Sequence, residues 1–263
     1  MKDIQYKDYW KLGIFSDIGA ESVIYRYRDT TNYKKTVLLK YFRDNIENKL
    51  QVIRNKDNGI ITENDYKVLT KEELERKKQK LELLTKRDSL KDEIEIYDRI
   101  FIKDKFKGYT MEFSDFKPLN VVDARKKDKI KYLKLIREKI ELLNEDGIYI
   151  GDFHESNFLT CHDVSKVKLC DLDNLRIDNF DFDSKHKFAL EYEKSDAKKE
   201  YIDSYCFNMF TIAYLNKIAI QYFLLKDNKL PRALRTKKNM EIYESMLHLD
   251  STYQPKYLID NIR

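Results

Sequence analysis

Between Gly13 and Phe42 apolar residues fall in short runs, each only as long as a β-strand, with polar residues between them. In "GIFSDIGAESVIYRYRD" and "KKTVLLKYF", β-branched and aromatic residues recur with the turn residues Gly19 and Asp29 between them, which predicts three antiparallel strands. "EIEIYDRIFI" and "KGYTMEF" predict two more, closing the sheet at Phe113. From Thr62 to Leu84 the pattern changes. Leu69, Leu74, Leu81 and Leu84 fall near helical spacing on a charged background, with Thr70 as N-cap and Glu73 three residues later completing a capping box. The stretch Arg43 to Ile61 reads as an insertion with a short helix of its own.

After Phe113 the pattern turns helical. "IKYLKLIREKIELLNEDG" places Ile130, Leu133, Ile136, Ile140 and Leu143 on one face and stops at Gly147, a C-terminal helix signal. "YIGDFHESNFLT" follows, then "KVKLCDLDN", a short buried strand ending in acids, and from Tyr201 the chain is mostly helical. These elements predict an α+β protein with a strand-rich lobe over 1–113, a helical lobe over 114–263, and a hinge near Glu112 to Pro118. The longest apolar run, "CFNMFTIAYLNKIAIQYFLL", is broken by Asn208, Asn216, Lys217 and Gln221, so it reads as a core helix and not a membrane span.

Composition narrows the function classes. With 263 residues, 42% hydrophobic and 37% charged, the chain can build one large domain or two small lobes with real cores. The 51 Lys and Arg are interspersed with 46 Asp and Glu, so the +5 excess is diffuse, whereas a dedicated nucleic-acid binder concentrates it. Cys161, Cys170 and Cys206 show no C-x-x-C spacing, which argues against a disulfide framework or a zinc knuckle. With an N-terminus too polar for a signal peptide, a reducing cytoplasmic setting is expected.

The chemistry gathers around residue 152. Phosphoryl transfer needs a carboxylate to take the proton of an attacking hydroxyl and oxygen ligands to hold Mg²⁺ on nucleotide phosphates. Asp152 and Asn157 stand five apart, and Asp171 follows Asn157 by 14 residues at a strand end. That is the D-x-x-x-x-N then D order of a kinase catalytic loop and its metal-binding aspartate. Two other readings use the same residues. Asp152, His154 and His162 would make a hydrolase metal site, but the set has no recognisable ligand spacing. Asp171-Leu172-Asp173 as the D-x-D of a nucleotide-sugar transferase would leave Asp152 and Asn157 idle.

These motifs resemble the protein kinase-like superfamily, and the resemblance runs through most of the chain. "DIGAESVIY" is similar to a worn Gly-rich loop, with Asp17, Gly19 and Ser22 in the glycine places; Lys40 in "VLLKYF" sits like the strand lysine that reaches the α- and β-phosphates. "GYTMEF" resembles the strand entering the hinge, whose backbone at Glu112 and Phe113 would meet adenine. "ALE", Ala189 to Glu191, falls where A-P-E would lie, and "YIDSYCFNMF" resembles the buried helix whose aspartate, here Asp203, braces the catalytic loop. The final "MLHLDSTYQPKYLIDNI" is similar to the closing helices of that fold. The acid that pairs with the lysine would be Glu75, with Glu47 and Glu82 as alternatives.

The resemblance implies a two-lobed fold that binds Mg-ATP in a cleft and phosphorylates a hydroxyl. Asp152 would be the base, Asn157 and Asp171 the metal ligands, Lys40 the clamp and the Gly19 turn a phosphate lid, with Asp173 adding a metal or water contact. A protein Ser/Thr substrate is the first expectation. The sequence departs from the family at Gly151, before the aspartate, and at His154; "GDFHESNFL" looks more like the G-D-x-H-x-x-N of small-molecule kinases. A small-molecule acceptor is therefore the second expectation, and a nucleotide- or partner-binding pseudokinase, suggested by the two missing loop glycines, the third.

Overall fold

The computed structural model describes residues 2–5, 9–16, 21–29, 36–43, 68–161, 163–182 and 187–262. It is an α+β protein whose contacts separate two compact units, Met1–Lys86 with Ile94–Ser114 and Arg87–Glu93 with Asp115–Arg263.

The first unit is built on a six-stranded sheet of order β1-β5-β6-β4-β3-β2. Its strands are β1 (Lys2–Gln5), β2 (Tyr9–Ser16), β3 (Ser22–Asp29), β4 (Thr36–Phe42), β5 (Ile96–Ile102) and β6 (Lys105–Glu112). The five longer strands pair antiparallel, as their turn-separated runs predict, while β1 joins parallel to β5, with Lys2 opposite Asp98. Tyr27, Val37, Leu39 and Ile100 form a buried cluster on the sheet. The helix α1 (Lys71–Leu84) starts just after Thr70, which caps it as expected. The Thr70 hydroxyl accepts from the Glu73 amide (3.2 Å) and the Glu73 carboxylate accepts from the Thr70 amide (2.8 Å). Past Arg43 the insertion expected over Arg43 to Ile61, with its short helix, lies outside the described residues.

The second unit is mainly helical. In α2 (Lys126–Glu145) the residues Tyr132, Leu133, Ile136, Ile140 and Leu143 are buried, each worth about 1.5–3 kcal/mol of apolar burial. The helix gives way to Gly147, whose φ of +70° suits a residue without a Cβ. A small sheet follows, with β7 (Lys117–Pro118), β9 (Phe158–Thr160) and β10 (Val167–Leu169). A two-stranded ladder pairs β8 (Ile148–Tyr149) with β11 (Arg176–Ile177). The remaining helices are α3 (Lys187–Glu193), α4 (Ile202–Asn216) and α5 (Lys237–Leu247).

Two helical expectations are corrected. The apolar run does not form one helix, because Lys217 adopts a left-handed conformation (φ +58°) and the Ile218 amide folds back to the Ala213 carbonyl (3.0 Å), ending α4 at Asn216. The C-terminal stretch is not a set of closing helices either, since only a short 3-10 turn, Leu258–Asn261, follows α5. Among the described residues no helix is long and apolar enough to cross a membrane.

Candidate functional site

In the second unit the loop after β8 is shaped by one glycine. Gly151 has φ +62°, and the Asp152 amide closes back on the Ile150 carbonyl at 2.6 Å, a three-residue reversal that turns Asp152 out of the strand direction. A Cβ at Gly151 would lie 2.5 Å from the buried ring of Phe182, so a side chain is excluded by the backbone and by packing together. Next to Asp152, Phe153 is anchored in a nest of rings, 5.9 Å from Phe158 and 5.9 Å from Phe207 between centroids.

Beneath the turn lies Asp203. Its carboxylate accepts from the Ile150 amide (2.9 and 3.1 Å) and the Gly151 amide (2.9 Å), and with its amide turned to satisfy both ends Asn144 donates to it as well (2.9 Å). Asp203 is therefore a brace for this backbone and caps no helix, α4 having no side-chain cap bond. Full burial raises its pKa from an ordinary 3.8 to about 6, against the opposing pull of those amides.

Around Asp152 the expected residues converge. Asn157 Nδ2 donates to the Asp152 carbonyl (3.0 Å) and to Asp152 Oδ2 (3.3 Å). Asn174, which the motif did not point to, donates from Nδ2 to the same Oδ2 (3.3 Å). Asp171 has φ +62° and ψ +39°, a left-handed conformation rare for a residue with a Cβ, and such strain clusters at functional positions. Two bonds tie the Asn157 loop to the residue before Asp171: the Cys170 amide donates to the Asn157 carbonyl (3.0 Å) and Cys170 Sγ to the Ser156 carbonyl (3.3 Å). Desolvation first, and the charge of Asp171 second, push the Asp152 carboxyl up from 3.8 to about 6. A carboxylate with a pKa near 6 is a better proton acceptor than a free aspartate and is still ionised at neutral pH.

The strand that delivers Asp171 is held from the side by a buried carboxylate. Glu93 pairs with Lys139 of α2 and accepts from the Leu169 amide in β10; burial raises its pKa. Arg87 joins Asp146 (3.2 Å) to Asp178 (2.8 Å) beyond β11. The Arg176 guanidinium lies 4.1 Å from the Tyr149 ring centre and 5.3 Å from that of Phe182, and donates to the Lys199 carbonyl (3.2 Å). A cation supplied by β11 and flanked by aromatic rings thus lies near Gly151. His154 is used locally, its Nδ1 accepting from the Ser156 amide (3.2 Å) and lying 2.8 Å from Ser156 Oγ. Among the described residues no three His, Cys, Asp or Glu converge closely enough to hold a metal alone. Asn157 and Asp171 are hard oxygen donors, and a small donor set of this kind fits Mg²⁺, which keeps waters and takes substrate phosphates as its other ligands.

In the first unit Lys40 is buried on β4, an inner strand, so it is no solubilising edge lysine. Its Nζ lies 6.0 Å from the Phe42 ring centre and 5.9 Å from that of Tyr109. Glu75 does not pair with it. The inward face of α1 is set by Lys77, Lys80, Leu81 and Leu84, and Glu75 sits off that face, half exposed, bonded to Lys78 (2.9 Å) and Gln79 (3.2 Å). Glu82 faces Arg99 (3.1 Å) and Lys86 (3.6 Å), and Glu47 is outside the described residues. Of the inward lysines, Lys77 has Glu21 beside it, 3.2 Å from its Nζ. Ser22 is buried opposite Phe42 at the start of β3. The Glu112 amide is already spent on the Glu95 carbonyl (2.8 Å), while the Phe113 ring packs edge-on to Phe15 and beneath Arg26. Gly19 and Asp17 lie outside the described residues.

No protein-family model matches the chain, and no curated protein is detectably similar to it.

Proposed function

We propose that the chain is an ATP-dependent phosphotransferase of the protein kinase-like superfamily, with a small strand-rich lobe and a helical lobe, transferring the γ-phosphoryl group to a hydroxyl. The observation that carries this reading is the Asp152 carboxylate, with the Asn157 amide 3.3 Å from Oδ2, the charge of Asp171 raising its pKa, and Asp203 bracing the turn that presents it. A lone D-x-x-x-x-N occurs by chance, whereas chance gives no reason for the two residues to be bonded and tied through Cys170 to a strained aspartate.

In this reading Asp152 orients the acceptor hydroxyl and takes its proton as the oxygen attacks phosphorus. Asn157 and Asp171 would hold Mg²⁺, which when bound neutralises phosphate charge. Lys40 would set the α- and β-phosphates by position and charge. A protein Ser or Thr hydroxyl is the first acceptor class. A small-molecule hydroxyl is favoured by one observation, that Gly151 and His154 both have loop-shaping roles in the G-D-x-H-x-x-N pattern of small-molecule kinases. The test is autophosphorylation and Mg²⁺-dependent ATP turnover by the intact chain, followed by panels of generic protein and small-molecule alcohol acceptors. Phosphate on the chain or a protein acceptor supports the first class, and transfer only to small alcohols the second. Nucleotide binding without turnover would make the chain a pseudokinase and refute the enzymatic reading.

A further inference from the structure

Asp152 Oδ2 receives two amide donors, from Asn157 and from Asn174, each at 3.3 Å, while among the described residues no hydrogen bond falls on Oδ1. Asn157 belongs to the loop motif; Asn174 does not. It sits at the end of the 3-10 turn Leu172–Asn174, which opens at the strained Asp171. That turn is closed by its backbone, the Asn174 amide donating to the Asp171 carbonyl (3.0 Å) and the Leu175 amide to the Leu172 carbonyl (3.2 Å). The side chain is not needed to make the turn. It is 5% exposed, and a buried primary amide costs free energy unless it is bonded, a cost that its bond to Asp152 Oδ2 helps to offset.

We propose that Asn174 is a positioning residue for the transfer reaction: it and Asn157 pin Oδ2 so that Oδ1 of Asp152 is the oxygen presented to the acceptor hydroxyl. A carboxylate hinged on one donor can swing about its Cβ–Cγ bond, whereas two donors converging on one oxygen from different loops fix its plane. Because Asn174 follows Asp171 by three residues on one turn, the base and the end of the strand beneath it are held in register. Displacement of a reacting group by about 1 Å costs on the order of 10²-fold in rate, so small rotations of the carboxylate are expected to matter.

This inference rests on the phosphotransferase reading, and the experiment separates the two. Turnover with Mg-ATP and thermal stability are measured for the intact chain, Asn174→Ala, Asn174→Asp, Asp152→Asn and the double variant Asp152→Asn with Asn174→Ala. Asn174→Ala is expected to lower kcat about tenfold while KM for ATP stays within about twofold. Asn174→Asp fills the same space but sets a carboxylate against Asp152, and is expected to lower kcat about 10²-fold, which keeps the test open should the alanine variant fold poorly. In the Asp152→Asn background, Asn174→Ala is expected to change the residual rate less than twofold, because a residue that acts through the carboxylate has nothing left to position. Unchanged kcat in Asn174→Ala, or the same fold loss in both backgrounds, overturns the inference and leaves the phosphotransferase reading intact. A wild-type chain without transfer overturns both.

Discussion

Asp152→Asn should make the protein worse at catalysis and more stable, and the two effects come from the same carboxylate. Asp152 is only part-buried by surface, yet protein surrounds its carboxyl closely, and burial followed by the Asp171 charge lifts its pKa from 3.8 to about 6. At about 1.4 kcal/mol per pKa unit, that lift corresponds to at most about 3 kcal/mol of cost for holding the ionised form in the folded chain. Solvent reaching the part-exposed residue screens some of this, so about 1–3 kcal/mol is expected. The folded pKa is raised, so the folded state holds the proton more tightly. The cost is absent below the unfolded pKa near 3.8, grows as pH rises, and is complete above about 6. Asparagine is neutral throughout and its oxygen can accept from Asn157 and Asn174 as Oδ2 does. Asp152→Asn should therefore raise Tm at pH 7.5 by several degrees, given about 2–4 °C per kcal/mol at this chain size, with the gain disappearing by about pH 3.5. The assay is thermal unfolding against pH in EDTA without nucleotide. A variant less stable than wild type at pH 7.5, or a gain independent of pH, would refute the electrostatic account of the site.

Asp171→Ala should weaken Mg-ATP binding far more than metal-free ATP binding, checked by titration with and without Mg²⁺; equal losses would make Asp171 merely structural. Lys40→Ala should cost about 10²-fold in turnover, and Lys40→Arg should also be damaging because a planar fork does not replace a compact ammonium; full activity in Lys40→Ala removes it from the site. Asp203→Ala strips the acceptor from the buried Ile150 and Gly151 amides, and urea unfolding should show a loss of about 2–4 kcal/mol. The chain should be active as synthesised. Ser184 is the only Ser, Thr or Tyr between Asp173 and Glu191, and Arg176 is already flanked by Tyr149 and Phe182, so no phosphate is needed to engage that cation. A tenfold drop in rate after phosphatase treatment, restored by ATP, would contradict this.

What the sequence made legible was local. The turn-bounded runs of β-branched and aromatic residues in β3 and β4, the capping box at Thr70 and the apolar face of α2 all depend on residues within a few positions of one another, and the structure has each of them. The spacing of Asp152, Asn157 and Asp171 was readable for the same reason, as consecutive pieces of one loop and strand. What stayed hidden depends on distant partners. The pairing of β1 with β5 joins residues more than ninety positions apart, and nothing in four residues announces it. Glu75 was expected on the inward face of α1, but the neighbours of a helix decide its buried face, and here that face carries Lys77 and Lys80. Gly151 reads in the sequence only as a departure from the family pattern before the aspartate. In the structure it is required, by a positive φ and by the Phe182 ring, and a cation enters from Arg176. Asn174 had a faint signal, since a residue three past Asp171 returns beside it whenever the intervening turn is 3-10.

Whether Asp152 drives phosphoryl transfer is the central question. The deciding measurement is the transfer of labelled γ-phosphate from Mg-ATP, by wild type and by Asp152→Asn at equal concentration, to the chain itself and to added hydroxyl acceptors. Transfer by wild type that falls by 10²-fold or more in the variant, with ATP affinity nearly unchanged, is the predicted result. Equal rates in the two proteins, or no Mg²⁺-dependent transfer by wild type to any acceptor, would contradict it.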